Sequence, residues 1–107
     1  MKKRPEPHNK SEATKLIKAI ARDKEGMVNV RSHAKKRMKE RNVDMLDILC
    51  AFRNGRILET PEWDIDHNEW KYKFTGNNVD GDPIAIITNI DEKKKQIVLI
   101  TVFETKK

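Results

Sequence analysis

The sequence predicts an α+β domain in which N-terminal helices pack on one face of an antiparallel sheet of about four strands. Helix-period apolar patterning is confined to the first half of the chain, and alternating or β-branched runs fill the second. Helices first and strands later is the signature of helices laid on one face of a sheet. The chain has 107 residues, 36% hydrophobic and 37% charged, enough for one modest core. Residues 1–10, with Pro5 and Pro7, read as a flexible arm, and residues 11–107 as the single domain.

Asn9 followed by Glu12 is a capping pattern, and Ala13, Leu16, Ile17 and Ile20 fall at helical spacing up to about Arg22. Gly26 breaks that helix, and the alternation around Val28 and Val30 predicts a short strand. Ser32 is placed to cap a second helix running to Glu40 or Arg41, with Asn42 ending it. Asp44 caps a third, Asp47 complements its dipole, and Gly55 stops it. Cys50 reads as small apolar packing on that helix.

Arg56–Glu59 is a candidate strand, and Pro61–Asn68 an acidic, turn-rich stretch. Trp70–Thr75 alternates, placing Trp70, Tyr72 and Phe74 on one face and Lys71, Lys73 and Thr75 on the other. Gly76–Gly81 reads as a turn. The runs Ile84–Ile90 and Ile97–Phe103 are apolar on both faces and suit central strands of a meander. Thr88 and Thr101 interrupt them, each as a core hydroxyl bonded to backbone or a hydroxyl lining a cleft.

The net charge of +6 is unevenly spread. Residues 1–41 carry a net +9, residues 42–92 a net −7 and residues 93–107 a net +4. A basic first third beside an acidic middle favours an oriented surface for a polyanion or an acidic partner. The longest apolar run is far shorter than the roughly 20 residues a membrane helix needs. No secretory signal is visible, and one cysteine suits a reducing compartment, so the expected location is the cytoplasm. His8, His33, His67 and Cys50 have no zinc-like spacing, and no phosphate-binding glycine loop or G-x-S-x-G elbow occurs. Neither a metal nor a cofactor is expected.

The densest feature is Arg31-Ser32-His33-Ala34-Lys35-Lys36-Arg37-Met38-Lys39-Glu40-Arg41. At about 100° per residue, His33, Arg37 and Arg41 form one stripe beside the apolar Ala34 and Met38, while Lys35 and Lys39 point elsewhere. That stripe is expected to be half-buried at the border of the core. Cations so placed need an anion. A carboxylate from the acidic middle would make a structural salt bridge, and a phosphate would fit the Arg forks equally well. His33 falls in the first helical turn, where the dipole favours a neutral ring able to accept a proton. Lys71 and Lys73 are either solubilising or, if continuous with the stripe, one wall of a cationic cleft for a nucleic-acid backbone.

The run Ser32-His33-Ala34-x-x-Arg37-Met38-x-Glu40-Arg41-x-Val43 resembles a small bacterial and phage-associated family of unknown function defined by an H-A-x-x-R-M-x-E-R helix. Asp47-Ile48, Asn54-Gly55-x-Ile57 and the closing strand Ile97–Glu104 extend the resemblance over about Val28–Glu104. That family is similar to the BrnT and RelE-like toxins. The resemblance implies their fold, metal-independent RNA cleavage, and a cognate antitoxin that neutralises the toxin and binds DNA.

Two functions are therefore expected from the sequence. The first is a metal-independent endoribonuclease in which the ribose 2′-OH attacks the adjacent phosphodiester. His33 would be base or acid, Arg37 and Arg41 phosphate clamps, and Lys73 the second proton donor. Arg31, Lys35, Lys36 and Lys71 would guide the RNA backbone. The alternative is a non-catalytic basic module that binds nucleic acid or an acidic protein, with the stripe as a salt-bridge network. RNA, a cognate antitoxin and, through oligomerisation, the chain itself are the expected partners.

Overall fold

The structure, a computed structural model, describes residues 5–23 and 26–105. Residues 1–4 of the expected arm and the last two lysines of the basic tail lie outside them. The elements follow in the order α1 (Lys10–Arg22), β1 (Met27–Val30), α2 (Ser32–Glu40), α3 (Met45–Asn54), β2 (Arg56–Ile57), β3 (Glu62–Asp64), β4 (Glu69–Asn77), β5 (Pro83–Asp91) and β6 (Gln96–Glu104). The fold is α+β, with the three helices packed on one face of the sheet.

Local signals account for the helix ends. The Asn9 side chain accepts from the Glu12 N–H at 2.8 Å and starts α1. Asp44 and Asp47 form a reciprocal capping box at 3.0 and 3.1 Å and start α3. Asn42, at φ 54°, turns the chain out of α2. Ser32 is the first residue of α2 and not its cap; Arg31 holds the cap position, and its side chain makes no capping hydrogen bond. The arm residues within the described range are tied down: Trp70 Nε1 donates to the Pro5 carbonyl at 2.6 Å, the His8 N–H donates to Tyr72 Oη at 2.9 Å, and the His8 ring pairs with Glu92.

The sheet has six strands, not four, and is mixed. Its order is β1-β6-β5-β4-β2, with β3 pairing β4 separately. β4, β5 and β6 form the expected antiparallel meander. β1 runs parallel to β6, with Val28 beside Ile97 and Val30 beside Leu99. The candidate strand Arg56–Glu59 is present as β2, cut to two residues; only β3 escapes a local reading, for a simple reason. β3, Glu62–Asp64, lies inside the stretch expected to be a turn and exists through its backbone pairing to β4, as the short β2 also does. β4 continues past Thr75 to Asn77, pairing Gly76 with Ile84 and Asn77 with Pro83 of β5, and only glycine fits at 76: a Cβ there would stand 2.4 Å from the Ala51 carbonyl oxygen. That close approach seats α3 on β4.

Strand alternation divides the sheet into two faces. Tyr72, Phe74, Ile84, Ile86, Thr88, Ile97, Leu99 and Val102 face the helices and form the core with Ala13, Ile17, Ala34, Ile48 and Phe52. A bulge at Ile87/Thr88 inserts an extra residue in β6 and shifts its alternation. Thr88 is fully buried, and its hydroxyl has no partner among the described residues. Lys71, Lys73, Ala85, Ile87 and Phe103 lie on the other face, which no described helix covers.

Candidate nucleic-acid interface

α2 is a nine-residue helix that buries only Ala34, helped by the partly buried Met38 and, just after it, Val43. So narrow an apolar stripe, laid on β6, leaves the rest of the helix in solvent. Ser32, His33, Lys35, Lys36, Lys39 and Arg41 are exposed. Arg37 is half-buried and pairs with Glu40 one turn on, at 3.2 Å. Among the described residues, Lys35, Lys36, Lys39 and Arg41 make no salt bridge to a carboxylate.

The expected half-burial of the stripe thus holds for Arg37 and fails for His33 and Arg41. The reasons differ: His33 lies about 100–140° around the helix from Ala34 and Met38, which point at the sheet, and Arg41 is the C-cap, past the last helical residue Glu40. Arg41 ends in a polar hollow of about 440 Å³ shared with Asp80, Asp82 and Glu104.

Lys71 and Lys73 belong to a different surface. They alternate with the core residues Tyr72 and Phe74, so the sheet stands between them and α2. A pocket of about 210 Å³ on this open face is lined by both lysines with Glu59, Glu62, Ile87 and Thr101. Thr101, opposite Ile87, therefore lines this cleft and is not part of the core. His33, Arg37 and Arg41 are not in that lining, and the four side chains expected to be catalytic do not meet.

The open-face cations already have partners from the same chain. Lys73 Nζ lies 2.9 Å from Glu59 Oε2 and 5.6 Å from the Phe103 ring centre. Lys71 Nζ lies 3.9 Å from Asp64 Oδ2. Arg31, pointing to this face from the end of β1, grips Glu69 with both fork nitrogens at 2.7 and 2.8 Å. The hydrogen bonds to Glu69 raise the Arg31 pKa further despite its desolvation. Glu59, Asp64 and Glu69 were missed in the sequence as partners, although the alternation of Glu69 with Lys71 and Lys73 places all three on one strand face.

His67 was likewise missed. Its Nδ1 sits 2.9 Å from Asp64 Oδ2, while the backbone N–H groups of Asp66 and His67 donate to Asp64 Oδ1. Donor atoms of Asp64, His67 and Glu69 lie within 4.8 Å of one another, spacing that would suit a cation. Yet both Glu69 oxygens are taken by Arg31, and Lys71 stands beside Asp64, so the local negative charge is already balanced.

Desolvation works against ionisation of Asp64, but the His67 backbone and ring, with Lys71, hold its carboxyl below the ordinary 3.8. Asp47 is also held low, chiefly by the Val79 N–H at 3.0 Å and then by the Asp44 N–H. A depressed folded-state pKa contributes stability that is present above the unfolded value and lost as pH falls through the folded one. The melting temperature is therefore expected to drop below about pH 4. Asp47→Asn and Asp64→Asn should each flatten that acid limb in thermal melts recorded across pH.

A small helix-on-sheet domain with a solvent-facing cationic helix is the class these features define. Residues 30–104 match the family described as a domain of unknown function (DUF4258), and the chain belongs to that family. The match spans α2 through β6 and leaves α1 and most of β1 outside. No curated protein matches the chain. Among the described residues, no helix is long and apolar enough to cross a membrane.

Proposed function

We propose that this protein binds RNA and that α2 is its grip on the phosphate backbone. The observation that carries this reading is the exposed lysines of α2, Lys35, Lys36 and Lys39, none of which makes a salt bridge among the described residues. Lysines and arginines along one helix release condensed counterions when they meet phosphates, which supplies sequence-independent affinity. The test is fluorescence anisotropy with labelled single-stranded RNA over a range of salt. Binding whose salt dependence weakens when Lys35, Lys36 and Lys39 are neutralised supports the reading; wild-type behaviour of that variant rejects it.

A second reading, the metal-independent endoribonuclease of toxin type with its cognate antitoxin, is favoured by a separate observation. Asp64 orients the His67 ring beside Lys71 and the Arg31–Glu69 pair, and a carboxylate-aligned imidazole near cations is the equipment of general acid–base catalysis at a phosphodiester. In such a reaction the base takes the 2′-OH proton, the 2′ oxygen bonds to phosphorus, and the P–O5′ bond breaks as the leaving oxygen gains a proton. His33 with Arg37 and Arg41 is the competing assignment, without Lys73, which lies across the sheet. Incubation with RNA in EDTA separates the cases: cleavage lost in His67→Ala places the chemistry on the open face, cleavage lost in His33→Ala places it on α2, and no cleavage leaves binding alone.

A further inference from the structure

α1 and α3 pack side by side with opposite directions, Thr14 reaching the Ile57 N–H and Lys18 reaching the end of α3. Between them runs a groove of about 170 Å³ lined by Lys18, Ala21, Arg22, Leu49, Phe52 and Arg53. Its floor is apolar, and Phe52 beneath it is fully buried. Its rim is three cations, and no carboxylate belongs to the lining. Lys18 Nζ sits on the Arg53 carbonyl at 2.9 Å, so its charge is fixed at the negative end of the α3 dipole. The Arg53 guanidinium makes no salt bridge among the described residues, and the nearby Asp23 is engaged by Lys95.

The apolar floor continues outward. Leu46 is 68% exposed and lies one turn before Leu49, so Leu46, Leu49 and Arg53 form an i, i+3, i+7 row along α3. An exposed leucine joined to an apolar groove and bordered by like charges is poorly explained by solubility, because cations alone would serve that end without it.

We propose that the α1–α3 groove is a docking site for an acidic amphipathic helix of a partner protein. A third helix laid along two neighbours fits its ridge into the groove they leave, with an aliphatic side chain over Leu49 and Phe52 and a second over Leu46. Glutamates or aspartates flanking that ridge meet Lys18, Arg22 and Arg53, which sets orientation and speeds encounter. A second copy of this chain offers no acidic amphipathic helix: α1 and α2 are rich in lysine, and α3 carries its carboxylates only at its start, where both serve the capping box. The groove lies mostly on α1 and α3, apart from the α2 row and from the open sheet face, so the proposal stands whichever reading of those surfaces holds.

The experiment uses the full chain and a fluorescein-labelled synthetic helix of about 15 residues carrying leucines at i, i+3, i+4 and i+7 between glutamates. Saturable binding is expected, weakened about tenfold by Arg22→Gln with Arg53→Gln and further by Arg22→Glu with Arg53→Glu, with a smaller loss for Leu46→Ser. Thermal melts of each variant confirm folding; these side chains are at the surface, and the Gln pair and Leu46→Ser probe the groove independently. The Lys35/Lys36/Lys39 variant should bind the peptide as wild type does. The proposal is overturned if the acidic helix does not bind, if a peptide with lysines in place of the glutamates binds equally well, or if the groove variants leave binding unchanged. Loss of RNA binding, and not of peptide binding, in the groove variants would assign the groove to nucleic acid and likewise overturn it.

Discussion

Phe74→Ala is expected to cost about 3–5 kcal/mol of folding stability, the range for truncating a buried aromatic, against a total of roughly 5–15 kcal/mol for a domain. Phe74 is fully buried in β4, its ring meeting Phe52 of α3 edge-on at 5.1 Å and 89°. It is also held laterally, with Ile57 of β2 opposite on one side and Ile86 of β5 on the other. Collapse around the lost ring is opposed by the geometry. β4 is fixed by ladders on both edges, and α3 already touches it at Gly76, where the backbones leave no room for a Cβ. The void therefore persists, and its cost adds to the lost transfer energy. Phe74→Leu, which fills most of the space, should lose only about 1.5 kcal/mol. Urea unfolding midpoints measure both; an Ala variant within 1 kcal/mol of wild type would mean that β4 and α3 are not packed as described.

The features that carry this core were legible because each is written in a short window. Trp70, Tyr72 and Phe74 alternate with Lys71 and Lys73, and that period of two separates core from solvent without any knowledge of partners. Asp44 with Asp47, and Asn42 before them, are local chemistry of the same kind. What escaped the sequence is long-range. Nothing in Met27–Val30 says that it runs parallel to β6, since the pairing residues are some seventy positions apart. Nothing in Glu62–Asp64 distinguishes a three-residue strand from the turn around it except the facing backbone of β4.

The candidate site shows the same division. Helical spacing groups His33, Arg37 and Arg41 on one stripe, but it leaves open where the helix ends and how far each residue lies from the core direction. Ala34 sets the core direction and the helix stops at Glu40, so His33 and Arg41 emerge into solvent while Arg37 stays half-buried. The sidedness of Lys73 was legible, yet its relation to α2 was not, because that depends on which sheet face the helix covers. Arg31 illustrates the limit best. It adjoins the lysines of α2 in sequence, but in space it belongs with Glu69, thirty-eight residues away.

That separation of surfaces makes the RNA prediction sharp. Replacing Lys35, Lys36 and Lys39 together by Gln is expected to weaken single-stranded RNA binding about ten- to hundredfold near 0.1 M salt. The arithmetic follows from counterion release: each phosphate contact contributes about 0.7 to the slope of log affinity against log salt, so three lost contacts make the line shallower by about 2. Folding stability should stay within about 0.5 kcal/mol, because all three are exposed and none is in a salt bridge among the described residues. The matched comparison is Lys71→Gln with Lys73→Gln. Those lysines already neutralise Asp64 and Glu59, so removing them exposes carboxylates near the pocket while leaving the α2 row intact. Under the α2 reading, the pair of substitutions changes the salt slope by less than half as much as the triple. A larger change from the pair would move the interface to the open face of the sheet, where the His67–Asp64 dyad lies, and RNA affinity and any RNA cleavage would then share one surface.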